Sequence, residues 1–209
     1  MKTWIVTGLL VAGLSAAHAL DLTPITSYRE LEGVRIPVIS FEDGLRKVNW
    51  QPPDNWQLSG GGQQLNLYPD KIALAAAQLK LIGHDAAQIP ARTGALNDFL
   101  KWAMSFVPRD ATGLTFDHES PNPFLLGGKP SREITVSYVS AAKKCSTSVA
   151  LVDLDARQSL ALVITACTED FEQVYSAGTA SMFRWQWVTK TLTPQDVTAS
   201  NAPASKAPR

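Results

Sequence analysis

The clearest pattern of hydrophobic and polar positions lies between Ile134 and Trp187. Three runs rich in β-branched and apolar residues, at 134–139, 146–154 and 160–167, are separated by short polar turns. Such runs are typical of consecutive strands. The segment after them changes to the spacing of an amphipathic helix. The pattern predicts three antiparallel strands followed by a helix, and the rest of the chain is expected to pack around this unit.

The second and third runs predict a hairpin that folds about Ala156. Its register would place Val149 opposite Val163 and Cys145 opposite Cys167. Directly opposed residues of an antiparallel pair have Cα atoms about 4.5–5.5 Å apart, and a disulfide accepts about 4.4–6.8 Å. The register therefore predicts a candidate disulfide between the two cysteines. The alternative is a pair of buried thiols that pack as small apolar residues.

The helix after this hairpin is expected to begin at Thr168, whose hydroxyl can cap it. Glu169 and Asp170 place negative charge in the first turn, where the helix dipole favours it. One face is apolar and consists of Phe171, Val174, Tyr175, Gly178, Met182 and Trp185. A helix with this face packs on a sheet, and the preceding hairpin is the expected surface.

The upstream segments predict further strands and one more helix. The expected elements are a strand over 34–41, a strand over 64–68, a strand in the second half of 72–82, a helix over 94–107 and a strand over 114–119. Pro37 restricts the first of these to a sheet edge or a bulge. This order predicts an α+β fold, namely a mostly antiparallel sheet with two helices packed on it as an α/β/α sandwich.

The N-terminus has the composition of a secretory signal peptide. Lys2 precedes the apolar run Trp4–Leu14, and Ala17-His18-Ala19 forms a cleavage site of small residues. The run is too short to span a bilayer. We therefore expect a leader over 1–19, one domain over 20–190 and a disordered polar tail over 191–209. The mature protein is expected to be periplasmic or secreted, which permits a disulfide.

The C-terminal half resembles the PsbP-like fold family. The resemblance rests on Phe106-Val107-Pro108, on the segment NPFLLGGKPSREITVSYVS and on the order of elements up to the closing helix. In that family a helix ends near a proline, three antiparallel strands follow, and a C-terminal helix closes the domain. The resemblance implies an α/β sandwich that acts by binding, and it assigns no catalytic or binding residue here.

Charge and motifs restrict the function classes. Nineteen basic residues balance nineteen acidic residues, and no basic run predicts binding to nucleic acid. Nothing predicts a cofactor. His84, Asp117 and His118 are the candidates for a metal-dependent hydrolase, although their spacing within one element is not that of a ligand set. Exposed polar residues at turns and strand ends explain them more simply.

Tryptophan is the remaining signal. Trp50 and Trp56 flank Pro52-Pro53, and Trp185 and Trp187 lie two residues apart near the end of the domain. These four residues are the candidate binding surface, although most tryptophans of a domain are expected in its core. The sequence thus predicts an exported, non-catalytic binding or accessory protein of the cell envelope, with an envelope protein or a glycan as partner. The alternatives are the metal-dependent hydrolase and a carbohydrate-binding module that uses Trp50 and Trp56.

Overall fold

The computed structural model describes residues 19–43, 46–84, 96–121, 126 and 129–189. The leader and the tail predicted above lie outside these residues, apart from Ala19. The strands are β1 (Asp21–Leu31), β2 (Val34–Glu42), β3 (Arg46–Trp50), β4 (Trp56–Gly61), β5 (Gln64–Pro69), β6 (Ala76–Gly83), β7 (Thr112–Pro121), β8 (Ser131–Ser140), β9 (Lys143–Asp153), β10 (Gln158–Cys167) and β11 (Gln186–Thr189); the helices are α1 (Leu96–Ala103) and α2 (Thr168–Met182). In the described part of the chain, no helix is long and apolar enough to cross a membrane.

The strands form two antiparallel sheets. The larger sheet has the order β4-β5-β6-β10-β9-β8-β7, and the smaller has the order β1-β2-β3-β11. One face of the larger sheet packs against α1, and the other packs against α2 and the smaller sheet. The predicted α+β class with antiparallel strands and two helices is confirmed. A simple α/β/α sandwich describes it only roughly, because a second sheet shares the layer of α2.

Two apolar clusters separate these layers. The larger cluster lies between the two sheets and α2 and includes Phe41, Trp50 and Leu160. The smaller lies beneath α1 and includes Phe99 and Val163. Residues that alternate along β9 and β10 face the two clusters in turn, which explains why both strands are buried at almost every position, including the polar residues Ser146, Thr147 and Ser148.

The β9–β10 hairpin has the predicted register, including Val149 opposite Val163 and Cys145 opposite Cys167. Helix α2 packs on this hairpin, as expected. The helix begins at Thr168, as expected, but Cys167 occupies the N-cap position and makes no side-chain hydrogen bond there. Thr168 is therefore the first residue of the helix and not its cap.

Gly178 allows the close contact between α2 and the sheet. A Cβ atom at this position would lie 2.7 Å from Cδ1 of Ile164 on β10. Because Gly178 lies on the buried face of α2, any larger residue would push the helix or Ile164 away. The glycine that interrupts the apolar face of the predicted helix is thus explained by packing.

The upstream predictions are largely confirmed. The strands over 34–41, 64–68, 114–119 and the second half of 72–82 correspond to β2, β5, β7 and β6. The predicted helix is shorter in the described residues, where α1 ends at Ala103 and a 3-10 turn, Met104–Phe106, follows. Strand β1 has no counterpart among the predictions.

Candidate functional site

The outer half of the β1–β2 hairpin, residues 25–38, extends beyond its sheet as two strands only, and we call it the arm. β3 pairs with β2 from Ile39 to Glu42, so no third strand is paired with the arm in the described part of the chain. The turn has two residues, Glu32 and Gly33, with φ angles of 50° and 80°. Positive φ at both positions is the geometry of a tight type I′ hairpin turn.

The arm carries an unusual share of the exposed apolar residues. Val34 is 62% exposed and Tyr28 is 60% exposed, and Ile25 and Leu31 are about half exposed. The pairing of Leu31 with Val34 places Ile25, Leu31 and Val34 on one face of the arm. Tyr28 lies on the other face, where the guanidinium of Arg35 stands 4.8 Å from its ring centre. Both faces therefore offer apolar surface to solvent.

The turn also determines which backbone groups of the arm are free. In a two-residue hairpin, the residues that flank the turn form a hydrogen-bonded pair, and such pairs alternate along the strands. The hydrogen-bonded residues of β1 are therefore Leu31, Arg29 and Ser27. The N–H groups of Thr26, Tyr28 and Glu30 point away from β2, toward the open edge of the sheet.

The opposite edge of the arm is blocked. Pro37 pairs with Tyr28 in a position that is not hydrogen-bonded, so its nitrogen faces away from β1. Proline has no N–H to donate to a further strand. This confirms the prediction that Pro37 lies at an edge, since β3 does not extend as far as this residue. In the described residues, the β1 edge of the arm therefore offers a more complete row of outward backbone donors than the β2 edge.

The four predicted surface tryptophans divide into two groups, and the prediction is wrong for two of them. Trp50 is 1% exposed and Trp185 is 6% exposed. Both pack against Phe41 with ring centres 5.6 Å apart. These indoles fill the core between the sheets, so they cannot contact a partner. Burial thus excludes Trp50 from the carbohydrate-binding surface predicted to use Trp50 and Trp56.

The other two tryptophans are partly exposed. Trp187 lies on β11, and the guanidinium of Arg46 covers its ring at 4.5 Å from the ring centre. Trp56, at the start of β4, borders a cleft of about 300 Å³ between the β3–β4 loop and α2. Of the four predicted residues, Trp56 thus combines partial exposure with a place at a cleft.

His84 belongs to a hydrogen-bonded cluster that connects two parts of the fold. Its Nδ1 is 2.9 Å from the carbonyl oxygen of Ala156, and its Nε2 is 2.8 Å from Oγ of Ser159. Ser159 is fully buried and donates a hydrogen bond of 2.8 Å to Asp153. This is not a catalytic triad, because the serine lies between the histidine and the carboxylate and is closed to substrate. The cluster ties the end of β6 to the β9–β10 turn.

The metal-dependent hydrolase that would use His84 and Asp117 is also overturned. Asp117 lies on β7, where it accepts a hydrogen bond from Ser137. Strands β6 and β7 are separated by β10, β9 and β8, a distance of about 19 Å at the usual strand spacing. The side chain of His118 lies outside the described residues. Among the residues that the structure describes, no group of three or more acidic, histidine or cysteine residues could hold a metal ion.

Cys145 and Cys167 are both buried, and both are free thiols in the structure. Opposed pairs along a hairpin alternate between a hydrogen-bonded and a non-hydrogen-bonded type. Leu154 and Gln158 form a hydrogen-bonded pair, and counting along the register from them makes Cys145 and Cys167 a non-hydrogen-bonded pair, which is the more closely spaced type. Burial raises the pKa of the Cys145 thiol, and so do the neighbouring charge of Cys167 and a hydrogen bond between the two thiols. A raised pKa disfavours the thiolate and hence a nucleophilic role. The geometry permits a disulfide, and its formation stays a prediction.

A buried carboxylate lies beneath α2 and was missed by the sequence analysis. Glu133 is 2% exposed and accepts hydrogen bonds from Ser148 Oγ and, at 3.0 Å, from the Tyr175 hydroxyl. Burial, and then the neighbouring charge of Glu133, raises the pKa of Tyr175. The sequence contains a signal for this pair. Glu133 is a charged residue at an inward-facing position of β8, and Tyr175 lies on the side of α2 that faces it. The pair fixes α2 on the sheet.

Asp155 contributes a pH-dependent part of the stability. Burial opposes its charge, but hydrogen bonds from the backbone of Arg157 and from Arg46 outweigh this and lower the pKa of Asp155. A carboxylate with a lowered pKa stabilises the fold above its unfolded pKa, and this contribution is lost as the pH falls through its folded pKa. We expect Asp155→Asn to lower the free energy of unfolding by about 1 kcal/mol at pH 7. Urea denaturation from pH 7 downward should show this difference shrink once the pH falls below the ordinary pKa of 3.8 and disappear below the lowered, folded pKa.

No family model matches the sequence, and a search of curated proteins gives no match. Solved structures with a similar fold include cyanobacterial PsbP from Synechocystis, with 8% identity, a TM-score of 0.46 and coverage of 85% of this chain and 96% of PsbP. Mog1p, a Ran-binding protein of Saccharomyces cerevisiae, has 12% identity and a TM-score of 0.43 over 80% of this chain and 96% of its own.

A third similar structure is LpqN of Mycobacterium tuberculosis, which is involved in cell envelope biogenesis. It has 14% identity and a TM-score of 0.44, and the match covers 80% of this chain and 92% of LpqN. A PsbP protein is thus among the solved structures to which this chain is similar. At such identities and with TM-scores below 0.5, these likenesses say nothing about which molecule this chain binds.

Proposed function

We propose that this chain is an exported, non-catalytic accessory protein of the cell envelope that binds another protein by strand addition to the arm. The observation that carries the proposal is the open β1 edge, which combines free backbone donors with exposed apolar side chains. An edge strand of this kind is a ready template for a further strand.

Strand addition would use both features of this edge. The outward N–H groups of Thr26, Tyr28 and Glu30 would donate to carbonyl groups of the added strand. Side chains that alternate along that strand would then contact Ile25 and Leu31 on one face and Tyr28 on the other. In this mode of recognition, the backbone hydrogen bonds supply affinity and the alternating side-chain contacts supply specificity.

A non-catalytic role fits the way in which the reactive side chains are used. His84, Ser159 and Asp153 are engaged with one another at the β9–β10 turn, and the cysteine pair is buried. Export is supported by the order of charge, apolar run and small residues at 1–19. An envelope location would also favour the disulfide.

Site-specific photo-crosslinking in the exporting cell tests the proposal. A photoreactive residue replaces Tyr28 on the arm, and the control replaces Tyr68, which is 45% exposed on β5. We expect one defined adduct with another protein at position 28 and none at position 68. No adduct at position 28, or the same adducts at both positions, would refute binding at the arm. An adduct of twice the mass of the chain would identify a second copy and overturn the proposed heterologous partner.

A backbone substitution then tests strand addition itself. Glu30→Pro removes one outward N–H and places a proline ring at the open edge, while the hydrogen bonds between β1 and β2 are kept. We expect the adduct at position 28 to fall at least about tenfold, since lost backbone hydrogen bonds and a steric clash act together. Glu30→Ala is the matched control and should keep the adduct. Equal loss in both variants would assign the effect to the carboxylate and contradict strand addition.

A further inference from the structure

The cleft beside Trp56 is separate from the arm. Short side chains of α2, among them Ala177 and Ala180, line it together with Trp56. The cleft volume of about 300 Å³ is at the lower end of the range for small-molecule sites. It therefore suits a ligand of one ring better than an extended one.

Three polar side chains at this cleft have no partner among the described residues. Asp54 lies in the β3–β4 loop, Gln173 lies on the exposed side of α2, and Arg184 follows the end of α2. None of the three side chains forms an ion pair or a hydrogen bond in the described part of the chain. Asp54 and Arg184 have opposite charges and line the same cleft, yet they do not pair with each other.

We propose that this cleft binds one pyranose ring of a neutral glycan. The C–H bonds on a sugar ring carry partial positive charge and are attracted to the negative face of an indole. Asp54, Gln173 and Arg184 each present a planar group with two hydrogen-bonding atoms, which suits pairs of adjacent hydroxyl groups. One positive and one negative side chain give the cleft no net charge, in agreement with a neutral ligand.

A zwitterionic ligand fits this cleft less well. Asp54 and Arg184 are exposed, and water and salt screen exposed charges, so each ion pair with a ligand would contribute little. Stacking on the indole is then the main source of affinity, and a flat ring with C–H groups benefits most from it. The proposal keeps a glycan role for Trp56 and excludes Trp50, which is buried.

The test is titration of the mature protein with neutral trisaccharides of glucose, N-acetylglucosamine and mannose, followed by saturation-transfer NMR. At least one of them should bind weakly, and Trp56→Ala should weaken it at least about tenfold. Asp54→Asn should also weaken it, because the amide replaces one of the two acceptor oxygens by an NH₂ donor and removes the negative charge. Tyr68→Ala, which removes an exposed aromatic ring outside the cleft, is the control and should bind as the wild type does.

Three outcomes would overturn this proposal. They are no binding of any of the three sugars at tens of millimolar, binding that Trp56→Ala leaves unchanged, and binding of a zwitterionic dipeptide in preference to the sugars. The result is independent of the arm, because Glu30→Pro should strongly reduce the protein adduct and leave sugar binding intact. The two proposals can therefore fail separately.

Discussion

Trp50→Ala should lower the free energy of unfolding by about 3–5 kcal/mol, the range observed when a large core aromatic is truncated. The indole of Trp50 lies between the two sheets, where it packs against Phe41, and Phe41 in turn packs against Trp185. Its removal opens a cavity that rigid strands on both sides cannot close. In a domain of this size the loss corresponds to a fall in melting temperature of about 10 °C, which urea and thermal denaturation both measure.

Two variants make this prediction specific. Trp50→Phe should cost much less, because it keeps most of the apolar volume and removes an indole N–H that has no hydrogen-bond partner among the described residues. Trp56→Ala should change stability by about 1 kcal/mol or less, since Trp56 is only partly buried. Similar losses for Trp50→Ala and Trp56→Ala would contradict the division of the tryptophans into core and cleft residues.

Oxidation of Cys145 and Cys167 should raise the free energy of unfolding by about 3 kcal/mol, the value for closure of a loop of roughly twenty residues. The pair lies in register at the closely spaced, non-hydrogen-bonded type of site. A bridge there would fasten the start of β9 to the residue that caps α2. The measurement is the melting temperature of protein from its native compartment, with and without a reducing agent.

The double variant Cys145→Ser/Cys167→Ser is the control. It should melt like the reduced wild type and should not respond to the reducing agent. Titration of thiols in the denatured, non-reduced protein decides whether the bond exists, and two free thiols in protein from its native compartment would refute it. A bond without a gain in stability would indicate that the hairpin is already closed in the denatured chain.

The sequence was most informative where structure is local. The β9–β10 hairpin is a single short loop between two runs of β-branched residues, so its register follows from the turn and the alternation alone. The apolar face of α2 follows from helical periodicity in the same way. These two elements position Cys145, Cys167 and Tyr175. The opposition of the two cysteines could therefore be predicted from the sequence.

Strand β1 and the smaller sheet were not predictable by the same reasoning. Pro24 and the exposed side chains of Thr26 and Glu30 obscure any alternation in β1. Its sheet unites the start and the end of the domain, since β11 pairs with β3. Such non-local pairing leaves no mark within a short window of sequence. The arm, and with it the proposed binding edge, could be recognised only once the fold was known.

The four tryptophans illustrate a second limit. Trp50 and Trp56 lie six positions apart and flank a proline pair, yet one lies in the core and the other borders a cleft. Trp185 and Trp187 also differ, because Trp185 precedes β11 and is buried, whereas Trp187 lies on β11 and is partly exposed. The sequence shows where large aromatic side chains occur. Which of them reach solvent depends on packing against the second sheet, which the sequence does not show.

Amide hydrogen exchange of the arm tests the central claim most directly. The protein is compared alone and in complex with the partner recovered by crosslinking at position 28. Strand addition predicts that exchange slows at the amides of Thr26, Tyr28 and Glu30, whereas Ser27 and Arg29, already bonded to β2, change little. Unchanged exchange at the three outward amides, with protection elsewhere on the surface, would contradict the account.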